Sequence, residues 1–481
     1  MTVNRTHSEP GAIDRKGGIL MPVQGAFIFP HPPILLPEVG KGEERKIAAT
    51  AAACAQAAKR IAALKPDTVI ITSPHSAVYA DYFHISPGSS ASGSLGRFGA
   101  PRVRVEVTYD TEMADAISQF ASGRGVPAGP LGEKDSSLDH ASIIPLSFLQ
   151  KEYSTCRYVR IGLSGLDPLA HYTLGECIAA AADSLGRNCV MLASGDLSHK
   201  LKEDGPYGFD PDGPLFDKEI TQAMKSGDFL RFLTLDEDFC DCAAECGRRS
   251  FIIMAGALDG KAVEPEFLSY EGPFGVGYAV CCYRVTGDDE NRRFGEIYER
   301  ERREKLSAVK EKESAYVRLA RQTLETYIRT RKKITLPPGL PAETLTRRAG
   351  VFVSLKKHGR LRGCIGTIEA TTACVADEIV ENAISAGTRD PRFDAVEEGE
   401  LAELVYSVDV LSPAESVDSP EQLDAKRYGV IVSCGHRRGL LLPNLEGVDT
   451  VEQQLSIAMK KGGISPGEPY TLQRFEVVRH T

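Results

Sequence analysis

From residue 21 onward the chain alternates short apolar runs with longer segments whose apolar positions recur at helical spacing. "GAFIFP" (25–30), "PDTVIITSPHS" (66–76), "RYVRIGLSG" (157–165) and "NCVMLASGD" (188–196) are runs that break at Gly or Pro. Continuous apolar runs of this length predict strands buried on both faces. Between them, "EERKIAATAAACAQAAKRIAAL" (43–64) and "PLAHYTLGECIAAAADSLG" (168–186) predict helices, the second stopping at Gly186. "CDCAAECGRRSFIIMAGAL" (240–258) predicts a further helix from Glu245 onward. Strands alternating with helices predict an α/β domain with a largely parallel sheet flanked by helices, over 21–285. In such sheets ligands bind beyond the carboxyl ends of the strands.

The pattern then changes. "NRRFGEIYERERREKLSAVKEKE" (291–313) is dense in charge and poor in apolar residues, and predicts an exposed helix linking two domains, over 286–312. Beyond it, "SAYVRLARQTLETYIRTRKK" predicts an amphipathic helix. "GVFVSLKKHGRLRGCIGTIEA" predicts two strands joined at "KKHGR". "LVYSVDVLSP" and "GVIVSCGHRRGLLLP" predict further strands, and "TVEQQLSIAMKKGGI" a helix stopped by Gly462. This mixed order predicts an α+β domain over 313–481. No internal repeat relates the halves.

A length of 481 residues suits two or three domains. No apolar stretch approaches the ~20 residues of a membrane span. Residues 1–20 are polar, lack the apolar core of a signal peptide and predict a disordered tail. Twelve cysteines without a signal peptide predict reduced thiols in a cytoplasm. A net charge of −9 argues against a nucleic-acid partner.

Six histidines fall in the first domain, at 31, 75, 84, 140, 171 and 199. His31, His75 and His199 each follow a predicted strand exit, in "FPHPP", "SPHS" and "SGDLSH". Three exits of neighbouring parallel strands converge on one crevice, where a metal or acid/base site would stand. Glu245 or Cys246 could complete such a site. A carboxylate would give the donor set of non-haem Fe(II), and a thiolate would favour zinc or another metal tolerant of sulfur. Alternatively, Glu245 is a first-turn helix acid and Cys246 a core residue. Asp196 either accepts from His199 and sets its tautomer or is an N-cap for the next segment. Cys240, Cys242 and Cys246 match neither iron–sulfur nor zinc-ribbon spacing.

Together "FPHPP", "SPHS", "LDHASIIPLSFL", "SGDLSH" and "ECGRRSFIIMAGAL" resemble the class III extradiol ring-cleavage dioxygenases, and more closely the superfamily that includes the Memo proteins. The resemblance implies His31 and His75 as metal ligands and His199 as the acid/base. His140 would be a substrate-side residue, although Ala141 stands where the family carries Gly. The family's ligand Glu aligns with Cys246, one residue after Glu245, and Memo-type proteins carry Cys-Gly-Arg there, as in Cys246-Gly247-Arg248. The implied cofactor is a divalent metal, Fe(II) first, with zinc or copper as alternatives. An oxygenase of this kind would take a catecholic substrate, pass its proton to His199 and use O2.

In the second domain, Cys364 lies between Gly363 and Gly366 in "RLRGCIGTIEA". It is either an accessible nucleophile whose pKa Arg362 lowers or a small packed residue. Cys364 and His436 could form a Cys/His pair if the fold brought them together. "LRGCIGT", "RDPRF", "SVDVLSP" and "RRGLLLPNLEGVDTVEQQLSIAMKKGGI" resemble the AMMECR-type domain, which implies a fold and a groove but no reaction. The two resemblances together imply a radical S-adenosylmethionine protein as partner, since the Cys-x3-Cys-x2-Cys cluster motif is absent from this chain. Two functional classes follow: a metal-dependent oxygenase acting on a small molecule, or a metal-binding module of a larger machine. Either is compatible with a homo-oligomer.

Overall fold

The computed structural model describes residues 22–134, 137–445 and 447–481. The tail expected over 1–20 lies outside the described residues. The chain divides into two units, 1–300 and 301–481.

The first unit is built on six strands: β1 (Val23–Phe29), β2 (Thr68–Ser73), β3 (Arg157–Gly162), β4 (Cys189–Ser194), β5 (Lys261–Glu271) and β6 (Tyr278–Asp288). Their order across the sheet is β3-β2-β4-β1-β6-β5. The first four are parallel, and β6 and β5 add an antiparallel hairpin beside β1. The sequence pattern did not predict this hairpin. Its outer strand alternates Val263, Pro265 and Phe267 with Glu264 and Glu266, so it lacks the continuous apolar run of the parallel strands.

Residues alternate between the two faces along each parallel strand. Ile28, Ile70, Val159 and Met191 enter one core, and Phe27, Val69, Ile71 and Leu192 the other. Each such side chain stabilises the fold by about 1.5–3 kcal/mol. That is why these strands read as unbroken apolar runs. Helices α1 (Ala48–Leu64) and α3 (His140–Glu152) pack on one face. Helices α2 (Thr111–Gly123), α4 (Pro168–Leu185) and α5 (Asp212–Ser226) pack on the other. Helix α4 starts at an Asp167 cap and ends at Gly186, whose φ of 59° is left-handed.

"CDCAAECGRR" forms two helices, not one. Helix α6 (Glu237–Ala243) ends at Ala244 with a left-handed φ of 51°, and α7 (Arg248–Ala257) starts after Gly247. Glu245 and Cys246 therefore sit in the turn between helices, ahead of the predicted start. Helix α7 crosses α4 closely: a Cβ on Gly256 would lie 1.9 Å from the Tyr172 carbonyl oxygen.

Helix α8 (Phe294–Glu311) spans the boundary between the units. The second unit holds helices α9 (Ala315–Thr330), α10 (Val375–Thr388) and α11 (Val451–Lys461) with two antiparallel sheets, an α+β arrangement. Its strands are β7 (Val351–Lys357), β8 (Arg360–Gly366), β9 (Leu404–Leu411), β10 (Glu415–Val417), β11 (Gly429–Cys434), β12 (Arg437–Leu441), β13 (Thr471–Phe475) and β14 (Val477–His480). One sheet runs β8-β7-β9-β14 and the other β10-β13-β11-β12. The β7–β8 hairpin turns at His358 and Gly359, both left-handed. Among the described residues, no helix is long and apolar enough to cross a membrane.

Candidate metal centre

Strand β4 lies between β1 and β2, so their carboxyl ends open side by side. His31 stands two residues beyond β1, His75 two beyond β2, and the loop after β4 carries Asp196 and His199. His140 opens helix α3 beside them. The rings of His31 and His75 are 4.9 Å apart, those of His31 and His140 5.5 Å, and those of His75 and His140 4.4 Å. With His199, four of the six histidines of residues 21–285 thus gather at one place. His84 instead bonds the Glu133 carbonyl, and His171 is buried against Phe83.

Cys246 reaches the cluster because two backbones touch. A Cβ on Gly195 would lie 2.1 Å from the Cα of Gly247, so the loop after β4 and the start of α7 meet only where neither residue has a side chain. The Cys246 Sγ lies 3.7 Å from His31 Nε2 and 4.0 Å from His199 Nε2. One ligand atom from each of His31, His75 and Cys246 falls within 4.8 Å of the others.

Hydrogen bonds assign the tautomer of His31. The Ser194 hydroxyl donates to the Ala141 carbonyl at 2.7 Å, which leaves its oxygen to accept from His31 Nδ1–H at 3.0 Å. Nε2 is therefore the unprotonated nitrogen, and it faces the Cys246 sulfur. The backbone N–H of Asp196 donates to the Cys246 sulfur at 3.4 Å, a contact that favours the thiolate.

Burial, reinforced by His75, His140 and His199, holds His31 well below the ordinary imidazole range. Burial and His75 lower His140 to about 4, partly opposed by Asp139. Burial also lowers His75 and His199. Burial and the nearby Asp196 and Glu245 hold the Cys246 thiol well above its usual value. Left alone, the cluster is a set of neutral imidazoles around a protonated thiol. A divalent cation reverses the preference of the sulfur, because the thiolate then neutralises charge instead of burying it. Bonds of about 2.0 Å to nitrogen and 2.3 Å to sulfur put tetrahedral donors about 3.3–3.6 Å apart, close to the 3.7 Å between His31 Nε2 and Cys246 Sγ.

Glu245 faces elsewhere. Its Oε2 accepts the backbone N–H of Arg248 at 2.7 Å, capping helix α7. Asp196 accepts the backbone N–H of His31 at 2.8 Å and flanks Cys246, so it braces these two residues rather than the ring of His199. Its carboxyl is raised to about 7 by burial. His199 is held through its backbone N–H on the Ala243 carbonyl at 3.0 Å. Its ring stacks on Tyr207, which is 63% exposed. Phe98 stands against His140 on the same rim.

The motifs did not single out Ser194, Tyr207 or Phe98. The hydroxyl of Ser194 could have been flagged by its position at the end of an otherwise apolar strand. In the second unit, Arg362 is clasped by Glu400 at 2.9 Å, and Arg392 stands beside Cys364 instead. His436 is an exposed residue of the β11–β12 turn, on a different sheet from Cys364.

The first unit falls in a known family. Residues 25–281 match the family described as the catalytic LigB subunit of aromatic ring-opening dioxygenase, and the chain belongs to it. Residues 317–480 match the AMMECR1 family, so the chain joins the two. A Clostridium acetobutylicum protein is similar along nearly the whole length, 43% identical over 96% of this chain and 99% of its own. A Thermotoga maritima protein is 50% identical over 35% of this chain and 98% of its own. Among solved structures, an uncharacterized Pyrococcus horikoshii protein matches 34% of this chain and 88% of its own at 33% identity, with a TM-score of 0.32.

Proposed function

We propose that the first unit is a metal-dependent protein in which His31, His75 and Cys246 hold a divalent cation and His199 exchanges a proton with a small-molecule substrate. The observation that carries this reading is the convergence of three ligand atoms within 4.8 Å, with Ser194 holding the proton of His31 on Nδ1 and leaving Nε2 unprotonated. A cation held there supplies Lewis acidity. Ser194 and Asp196 keep His31 and Cys246 in place. Burial keeps His199 neutral at pH 7, so its ring can accept a proton, and the Ala243 carbonyl fixes its backbone.

The thiol stands where the oxygenase pattern has a carboxylate, and this favours zinc or copper over Fe(II). The non-oxygenase, Memo-like form of the fold is therefore the better reading. A radical S-adenosylmethionine protein is the partner that goes with it. Ring cleavage of a catechol by Fe(II) and O2 is the second reading, favoured by membership of the LigB family.

Elemental analysis of protein purified without oxygen tests both. We expect one zinc or copper per chain, lost in Cys246→Ser by more than about a hundredfold in affinity and retained in Glu245→Gln. One iron per chain with oxygen uptake on catechol establishes the second reading. Metal kept by Cys246→Ser but lost by Glu245→Gln overturns the ligand assignment.

A further inference from the structure

The chain of the second unit crosses between its two sheets at one seam. It leaves the first sheet at Leu411, the end of β9, and enters the second at Glu415, the start of β10. It returns from Phe475, the end of β13, to Val477, the start of β14. Hydrogen bonds lock the two crossings together: the Ser412 N–H donates to the Glu476 carbonyl and the Glu476 N–H to the Ser412 hydroxyl, both at 2.9 Å. Leu411, Ile431 and Phe475 form a small buried cluster at this seam, distinct from the larger core of either sheet.

A cavity of about 340 Å³ opens on this cluster. Its floor is apolar, formed by Leu411, Ile431 and Phe475 with Ile368 packed beside them. Its walls are charged. Arg348 comes from the segment ahead of β7 and Arg438 from β12, so each side of the seam contributes one guanidinium. Arg348 is held by two carbonyls: its Nε donates to Thr372 at 3.1 Å and an Nη to Ala370 at 3.2 Å. These bonds use two of its five N–H groups, and no carboxylate pairs with it among the described residues. Arg438 donates to Glu369 at 3.0 Å and to the side-chain oxygen of Gln473 at 3.3 Å. Glu369, whose side chain is 78% exposed, is the one carboxylate among the described residues that line the cavity. Two cations therefore share one carboxylate above an apolar floor, and the unmatched charge is positive.

We propose that the seam binds a small organic anion, with its apolar body on Leu411, Ile431 and Phe475 and its anionic head on Arg348 and Arg438. Cavities that take small molecules are mostly apolar, with a few placed polar groups that fix orientation, and this one has both parts. A planar guanidinium matches the paired oxygens of a carboxylate or phosphate. An exposed ion pair contributes little by itself, and the floor does not discriminate by charge, so selectivity needs the two together. Glu369 competes with the anionic head for Arg438, and its exposure lets it turn outward when the head arrives.

The test titrates the full chain with three probes by ligand-observed NMR: naphthoate, the neutral naphthalenemethanol with the same rings, and inorganic phosphate. The native chain should bind naphthoate with a Kd of about 1 mM or tighter, and about fivefold or more tighter than the alcohol. That preference should fall by about two- to fivefold in Arg348→Gln, persist in Arg348→Lys and rise by about twofold in Glu369→Gln. Arg348 and Glu369 are exposed, so these variants leave the fold intact. Naphthoate taken up by the first unit does not respond to either position, so the variants isolate this site. A native chain that does not prefer naphthoate to the alcohol, a preference unmoved by Arg348→Gln, or phosphate bound as tightly as naphthoate overturns the proposal.

Discussion

Replacing Ser194 with Ala removes a single oxygen, and the structure says what that oxygen does. It accepts from His31 Nδ1–H and donates to the Ala141 carbonyl, both in the buried interior. Without it, the imidazole loses the bond that keeps its proton on Nδ1, and the other tautomer would put a proton where the metal binds. A buried donor left unpaired costs about 1–3 kcal/mol. Loss of a residue that orients a metal ligand costs about 10–100-fold in metal affinity, or about 1.4–2.8 kcal/mol. The two estimates agree, so we expect Ser194→Ala to bind zinc about 10–100-fold more weakly at pH 7. Competition against a chromogenic chelator measures this. Thermal denaturation of the metal-free chain separates it from general destabilisation. If His31→Ala abolishes binding while Ser194→Ala stays within about twofold of the native chain, the tautomer argument fails.

Two further perturbations probe how the centre is held. Gly195→Ala would force a methyl into the Gly247 backbone, so we expect a loss of about 1–3 kcal/mol in stability and weaker metal binding, although no donor is touched; urea denaturation and metal competition report the two effects, and native values in both would count against the close-contact argument. Asp217 supports the loop carrying His199 by accepting the Ser198 N–H at 2.8 Å and the Tyr270 hydroxyl at 2.7 Å. Burial raises its carboxyl from 3.8 to about 7. The folded state therefore holds this proton more tightly than the unfolded chain. The contribution to stability is full below about pH 4, falls as pH rises to about 7 and is level above that. Between pH 5 and 8, the stability of the native chain relative to Asp217→Asn should drop by about 2–3 kcal/mol, and a pH-independent difference in urea denaturation would refute the assignment.

The parallel strands were legible because burial on both faces leaves no polar alternation to confuse the pattern, and the Pro or Gly at each end marks where the chain leaves the sheet. Three strand exits followed by histidine were therefore enough to suggest a common crevice. The residues alone left the choice between Glu245 and Cys246 open, and only the resemblance to Memo-type proteins leaned to Cys246. The two are adjacent in a turn, and the contact between Gly195 and Gly247, about 50 residues apart, sets which side chain enters the cluster. The role of Asp196 was hidden for a similar reason, since its partners are the backbone of His31 and the sulfur of Cys246. Arg362 lies two residues from Cys364, yet Glu400 takes its guanidinium, and Arg392, 28 positions away, reaches the Cys364 carbonyl. Such pairings depend on register between distant segments, which local pattern does not encode.

Strand β1 lies between β4 and β6, which follow it by some 160 and 250 residues. On the ribosome, "GAFIF" therefore emerges long before either neighbour exists to cover it. Cys246 is also made more than 200 residues after His31. Any metal the proposed site holds is thus captured late in biogenesis, and a truncated nascent chain would offer sticky apolar surface without the Cys246 ligand. Until its neighbours are made, this strand is the kind of exposed apolar edge that drives incomplete chains to aggregate.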